Sequence, residues 1–216
     1  MYNNKENISI VFGKTGSGIS SFINAITKSK SCRVSDSYES CTKDFSIVQT
    51  EHKKSEYYFI DTPGFSDYEG THKEYFNLIK KHLSKYPKIN CLILILNFYD
   101  KRLGCLTIDI IKFFMQLFPN RRFFDHFLIV RTHADKGLED FEEQKNDIKD
   151  LIIKAINNYT DLRNFMINKN IEIPPKVYEF FVDNRSKNEL DNYEKNEEEY
   201  EMIFNRIKYS CSPMIN

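Results

Sequence analysis

Gly13 and Gly18 stand five residues apart in the stretch Gly13-Lys14-Thr15-Gly16-Ser17-Gly18-Ile19-Ser20-Ser21, and Ser20 follows two positions later. Glycines at this spacing let successive backbone N–H groups turn inward as a nest that holds an anion. "ISIVF" (Ile8 to Phe12) reads as a strand before the nest, and Ile19 to about Lys28 reads as a helix after it. The nest therefore opens a helix, where orphan N–H groups and the helix dipole favour phosphate. Ser20 is placed to put its hydroxyl on a magnesium ion. One residue breaks the pattern. A phosphate loop of this type carries lysine just before the serine, and this chain carries Ile19. On this stretch alone, a phosphate cradle and a ligand-free strand-to-helix turn are even.

Three further clusters each close a predicted strand. Asp61-Thr62-Pro63-Gly64 follows Tyr57 to Ile60. Asp61 suits a magnesium ion held through water, and the Gly64 N–H suits a γ-phosphate; a plain Pro-Gly turn is the competing reading. Thr132-His133-Ala134-Asp135 ends the strand His126 to Thr132. A carboxylate there can accept from N1–H and the 2-amino group of guanine, while adenine offers neither donor. His133 is placed to lie against the base plane. The competing reading is a helix cap, since Thr and Asp both cap well. Asp183-Asn184-Arg185, after the last strand, would close over the base.

These clusters need a sheet to hold them in line. Apolar runs alternate with amphipathic stretches: strands at Asp44 to Thr50, Tyr57 to Ile60, Cys91 to Leu96 and Val177 to Asn184, with helices at Thr71 to Lys85, Thr107 to Phe118 and about Glu139 to Asn158. Such alternation predicts an α/β sheet covered on both faces, and the adjacent pair at 44–60 predicts one antiparallel edge. Residues 1–216 read as a single domain, with 187–210 a C-terminal helix that presents Leu190, Tyr193, Tyr200, Ile203 and Ile207 on one face. Ile167 to Lys176 is the most loop-like segment.

Composition narrows the classes. The 31 acidic and 31 basic side chains cancel, which argues against a general nucleic-acid-binding surface. Five cysteines without a CxxC spacing predict reduced thiols, and the five histidines show no metal-ligand spacing. The polar start "MYNNKEN" does not read as a signal peptide, and the apolar run "CLILIL" is too short to cross a bilayer. Glu197-Glu198-Glu199 reads as the solvated face of the last helix.

Taken in order, GKTGSGxSSFIN (Gly13 to Asn24), SCTK (Ser40 to Lys43), DTPGFSD (Asp61 to Asp67), THAD (Thr132 to Asp135) and FVDN (Phe181 to Asn184) resemble the motifs of the AIG-type GTPases. That family includes the GTPases of immunity-associated proteins and is related to the septin-like chloroplast import receptors. Cys91 to Phe118 resembles the family's additional box, so the likeness covers nearly the whole chain. The resemblance implies a Ras-like P-loop GTPase fold that binds GTP or GDP with Mg2+ at the carboxyl ends of its strands. It implies magnesium contacts from Ser20, Thr42 and Asp61, with Thr42 as the switch threonine and Gly64 at the γ-phosphate. Gly13 to Ser21 would cradle the phosphates; Thr132, His133, Asp135, Asp183 and Asn184 would surround the base. Arg102 is the candidate for an arginine acting across a homodimer, weighed evenly against a solvated surface arginine. A dimer or oligomer across the nucleotide face is implied, with any membrane link indirect and a cytoplasmic or peripheral location.

The chain departs from the family at Ile19. Losing one charge-assisted contact lowers affinity roughly ten- to a hundred-fold. Losing one preorganised donor slows hydrolysis about a hundred- to a thousand-fold. Phe65 also stands where Ras-like enzymes place a water-orienting glutamine. The expected function is a guanine-nucleotide switch or assembly protein with weak or absent hydrolysis. Two alternatives stay open: a scaffold that holds no nucleotide, and a GTPase activated by dimerisation. Lys14 could substitute for the missing cation, but it stands where the family pattern already has lysine.

Overall fold

Strand β1 (Glu6–Gly13) turns Ile8, Ile10 and Phe12 to one face and Val11 to the other, so it is buried only between two layers. A computed structural model describes residues 6–32, 45–65, 72–86, 88–100, 103–137, 139, 141–143, 150–172, 177–186, 188–209 and 214–215. After β1 come α1 (Ile19–Thr27), β2 (Ser46–His52), β3 (Ser55–Asp61), α2 (His72–Leu83), β4 (Lys88–Ile89), β5 (Cys91–Asn97), α3 (Cys105–Leu117) and β6 (Phe127–Thr132). They are followed by α4 (Leu151–Asn158), α5 (Thr160–Asn168), β7 (Tyr178–Phe181), α6 (Glu189–Lys195), α7 (Glu197–Tyr209) and β8 (Met214–Ile215).

Six strands form one sheet in the order β2-β3-β1-β5-β6-β7. All neighbours are parallel except β2 and β3, so the antiparallel edge lies where the sequence predicts it. The β2–β3 hairpin turns on Lys53 and Lys54 at φ 47° and 62°. Positive φ at both central residues matches the right-handed twist of the paired strands.

Side chains alternate along each strand and fill two cores. On one face Ile10, Phe12, Leu92 and Leu94 meet Ile79, Ile111 and Phe114 from α2 and α3. On the other, Val11, Phe59, Ile93 and Val130 meet Phe22, Ile26, Tyr200 and Phe204 from α1 and α7. A small third cluster, Phe98, Ala134, Phe141 and Phe181, lies beneath the loops at the carboxyl ends of the strands. The chain reverses its winding between β1 and β5, and α/β sheets of this kind bind ligands at such a crevice. No described helix is long and apolar enough to cross a membrane.

Three elements differ from the sequence expectation. The C-terminal helix over 187–210 is two helices broken at Asn196, whose side chain is used on a neighbouring loop. Leu190 is 50% exposed, so the packed face is carried by Tyr193, Tyr200, Ile203 and Ile207 without it. The long helix expected from Glu139 falls partly outside the described residues; α4 is described from Leu151, and extended backbone at Tyr159 separates it from α5. Helix α5 buries Leu162 and Met166 and packs Phe165 partly against the same core, while Ile167 is exposed; three inward apolar positions in one short stretch are too little periodicity to announce a helix.

Candidate functional site

The parallel strands β1, β3, β5 and β6 end at Gly13, Asp61, Asn97 and Thr132, which brings the candidate loops to one edge of the sheet. Gly13 closes β1, and the loop beyond it exposes Lys14 and Gly16. Ser17 is buried, and its N–H donates to the Lys14 carbonyl at 3.0 Å. Gly18 takes φ +89°, and a Cβ there would stand 3.2 Å from Asn184 Nδ2 and 3.4 Å from the Thr132 side chain. Glycine is thus required both by the backbone and by the approach of two other loops. Ser20 and Ser21 are half-buried in the first turn of α1.

Ile19 turns its side chain into the core with Val11, Phe22 and Ile93, leaving 7% exposed. Burial of an isoleucine is worth about 1.5–3 kcal/mol. At this position the structure offers a ligand only the backbone amide.

Asp61 is 1% exposed. Its Oδ2 accepts from the Ser20 hydroxyl at 3.0 Å, and the Cys32 thiol lies beside the carboxylate. Its Oδ1 is buried with no hydrogen-bond partner among the described residues. Burial pushes the carboxyl up to about 6, against the opposing pull of Ser20 and Cys32. The same burial, with Asp61 alongside, pushes the Cys32 thiol up to about 12. The loop after β3 is stitched to the phosphate-type loop: the Phe65 N–H donates to the Gly13 carbonyl at 3.2 Å. A Cβ on Gly64 would meet Thr15 Oγ1 at 2.4 Å and Thr15 Cα at 2.7 Å, so only glycine fits. Thr15 Oγ1 and Ser17 Oγ are also buried without partners among the described residues.

At the other end of the site, the Thr132 hydroxyl donates to the Ser17 carbonyl, with the Leu96 carbonyl 3.3 Å away. Thr132 therefore braces two loops against each other. His133 takes φ +59°, its N–H donates to Asn184 Oδ1 at 3.4 Å, and burial lowers the ring's pKa. Asn184 is buried, and its Nδ2 has no partner among the described residues. Asp135 Oδ1 accepts from the Gly137 N–H at 3.0 Å, and Arg185 Nη2 reaches its Oδ2 at 2.9 Å. The Gly137 N–H and Arg185 together hold this carboxyl below the usual range. Arg185 also grips Asp183 with two nitrogens, Nε to Oδ1 at 2.7 Å and Nη2 to Oδ2 at 2.8 Å, and lowers the Asp183 pKa.

The structure brings together Gly13 to Ser21, Asp61, Gly64, Thr132, His133, Asp135, Asp183 and Asn184. Thr42 and Arg102 lie outside the described residues. Among the described residues no group of three or more His, Cys, Asp or Glu side chains could hold a metal. Sequence reasoning missed three positioning residues. Asn196, 2% exposed, accepts from the Asp183 N–H and donates to the Asp183 carbonyl, both at 2.8 Å. Lys136 pairs with Glu199 at 2.7 Å, so one of the three glutamates expected to be solvated ties α7 to the loop after β6. Arg131, 1% exposed, pairs with Glu179 at 2.8 Å and lies 3.4 Å from the Asn97 and Asp100 carbonyls. A charge inside "FLIVRT" was the one readable signal; Asn196 and Lys136 carried none.

The family model described as 50S ribosome-binding GTPase matches residues 8–157. No match is found among curated protein sequences. Toc33 from Arabidopsis thaliana, solved with Mg2+ and GMPPNP, is 18% identical and has a TM-score of 0.72, over 98% of this chain and 88% of that one. A structure of the chloroplast translocon components atToc33 and psToc159, for which dimerisation is important for GTPase activity, matches at 18% identity and TM-score 0.72, over 98% and 87%. A mutant of Aquifex aeolicus Era bound to GDP and AlF4− matches at 14% identity and TM-score 0.59, over 98% of this chain and 62% of that one. At these identities the likeness carries the fold.

Proposed function

The chain belongs to the 50S ribosome-binding GTPase family, and from that premise we propose that it is a guanine-nucleotide-binding switch or assembly protein of the AIG type whose hydrolysis of GTP is weak or absent. One observation carries the binding half of this reading. Among the described residues Thr15 Oγ1, Ser17 Oγ, Asp61 Oδ1 and Asn184 Nδ2 are buried without partners, and all four border the same edge of the sheet. An unsatisfied buried polar atom costs about 1–3 kcal/mol. A polyphosphate, a divalent cation and a nucleoside would relieve that cost. A scaffold that binds no nucleotide would leave that cost to solvent alone.

Ser20 and Asp61 would hold Mg2+, with Thr42 as a further ligand. The residues fit the ion, because Asp61 has one buried carboxylate oxygen free to take a cation. The metal would supply charge stabilisation at the phosphates. The nest and helix N-terminus would take the phosphates, and Asp135 would read the guanine edge. Ile19 supports the catalytic half of the reading, because a side chain packed in the core brings no charge to a γ-phosphate. Association across the nucleotide face is part of the proposal, supported by the translocon neighbours. A specific activity that stays flat as protein concentration rises would count against it.

The deciding experiment is to denature the purified protein, identify any released nucleotide by chromatography, and titrate the nucleotide-free protein with GDP and GTP by calorimetry. About one guanine nucleotide per chain, or saturable binding, is expected. Ile19→Lys should then raise affinity roughly ten- to a hundred-fold. No release, with binding only by the Ile19→Lys protein, would leave the scaffold reading standing.

A further inference from the structure

Asp135 lies at an exposed loop where a free carboxylate would rotate. In this chain it does not stand free. Its Oδ1 is held by the Gly137 N–H at 3.0 Å and its Oδ2 by Arg185 Nη2 at 2.9 Å. The same Nη2 reaches Asp183 Oδ2 at 2.8 Å, while Arg185 Nε binds Asp183 Oδ1 at 2.7 Å. A planar guanidinium can bridge two carboxylates in this way; an ammonium, as a point charge, cannot fix both orientations. Without it, Asp135 and Asp183 would repel each other.

Asp183 is itself anchored to the body of the fold. Its N–H and carbonyl both bond the buried side chain of Asn196, at the break between α6 and α7. A continuous line therefore runs from Asn196 through Asp183 and Arg185 to Asp135. The Lys136–Glu199 pair ties the neighbouring residue to α7 as well.

We propose that Arg185 is the positioning residue that sets guanine specificity, by fixing the Asp135 carboxylate so that both of its oxygens face the base edge. Each Asp135 oxygen already accepts one hydrogen bond from the protein and keeps lone pairs for the N1–H and 2-amino donors of guanine. The exposed charge pairs themselves contribute little to folding. What Arg185 supplies is direction. This inference rests on the guanine reading of Asp135.

The test compares two probes that differ only in the 2-amino group, GDP and IDP, each displacing a fluorescent GDP analogue. Wild-type protein is expected to prefer GDP about tenfold or more, the worth of one charge-assisted hydrogen bond. Arg185→Ala should cut that preference at least fivefold, with a melting point shifted by less than about 4 °C. Arg185→Lys should fall between the two. A merely structural role would weaken GDP and IDP equally and leave their ratio unchanged, and that result overturns the inference while the guanine reading survives. Wild-type protein that binds neither probe overturns both. Should Arg185→Ala fail to fold, Arg185→Lys carries the same test, because it keeps the charge and loses the fork.

Discussion

At the end of the proposed site where phosphates would lie, Thr15, Ser17 and Asp61 each keep a buried polar atom without a partner among the described residues. At the base end, Asp135, Asp183 and Arg185 satisfy one another and are anchored through Asn196. The two ends meet at Gly18, where Asn184 and Thr132 approach the phosphate-type loop. The contrast separates two ways of building a binding site. One end holds unmet polar groups at a cost to folding, which a ligand would remove. The other has its charged residues paired in advance, with only Asn184 Nδ2 left open among the described residues, so a ligand would find Asp135 and Asp183 already oriented. Substitutions at the two ends should therefore move the stability of the nucleotide-free, metal-free protein in opposite directions.

The largest effect is expected at the base end. Asn196→Ala removes two hydrogen bonds to Asp183 and one to the Asn192 carbonyl from a site 2% exposed. It should destabilise the protein by about 2–3 kcal/mol, read as a lower urea midpoint. At the phosphate end the sign reverses. Asp61 has its pKa raised to about 6, so between the usual carboxyl value and about pH 6 the folded state keeps a proton that the unfolded chain has released. The contribution to stability is present below that window and lost as pH rises through it. Asp61→Asn should therefore stabilise the protein at pH 7 by about 1–3 kcal/mol, and much less near pH 4. A urea midpoint that falls at pH 7 would break the contrast. The smallest effect is Ser17→Ala, which deletes an orphan hydroxyl and should leave thermal stability unchanged or raise it by up to about 1 kcal/mol. A clear loss would mean that this hydroxyl has a partner in solution.

Much of the fold was legible because it is written in short periods. Short apolar runs such as Ile8 to Phe12 in β1 and Cys91 to Leu96 in β5, alternating with amphipathic stretches, and the adjacent pair β2–β3 gave the sheet and its antiparallel edge. The candidate loops were legible because four such clusters follow one another in order at strand ends, although each alone also reads as a turn or a cap. What stayed hidden is long-range. Asn196 looks like any polar residue in a helix until Asp183, thirteen positions earlier, is seen to lie against it. Leu190 fits the apolar face of a continuous helix and is exposed because the helix breaks six residues later. Thr132 reads as a ligand contact, yet its hydroxyl braces the Ser17 carbonyl. Ile19 was visible as a departure; its packing into the core was not.

The contact between the loop after β3 and the phosphate-type loop also gives the molecule a natural reporter. Gly64 lies hard against Thr15, and the Phe65 amide is held by the Gly13 carbonyl. That proton exchanges with solvent only when the two loops part. Its exchange rate is therefore a clock for their separation, and one isotope-labelled phenylalanine signal would time the opening of the site without any probe being added to it.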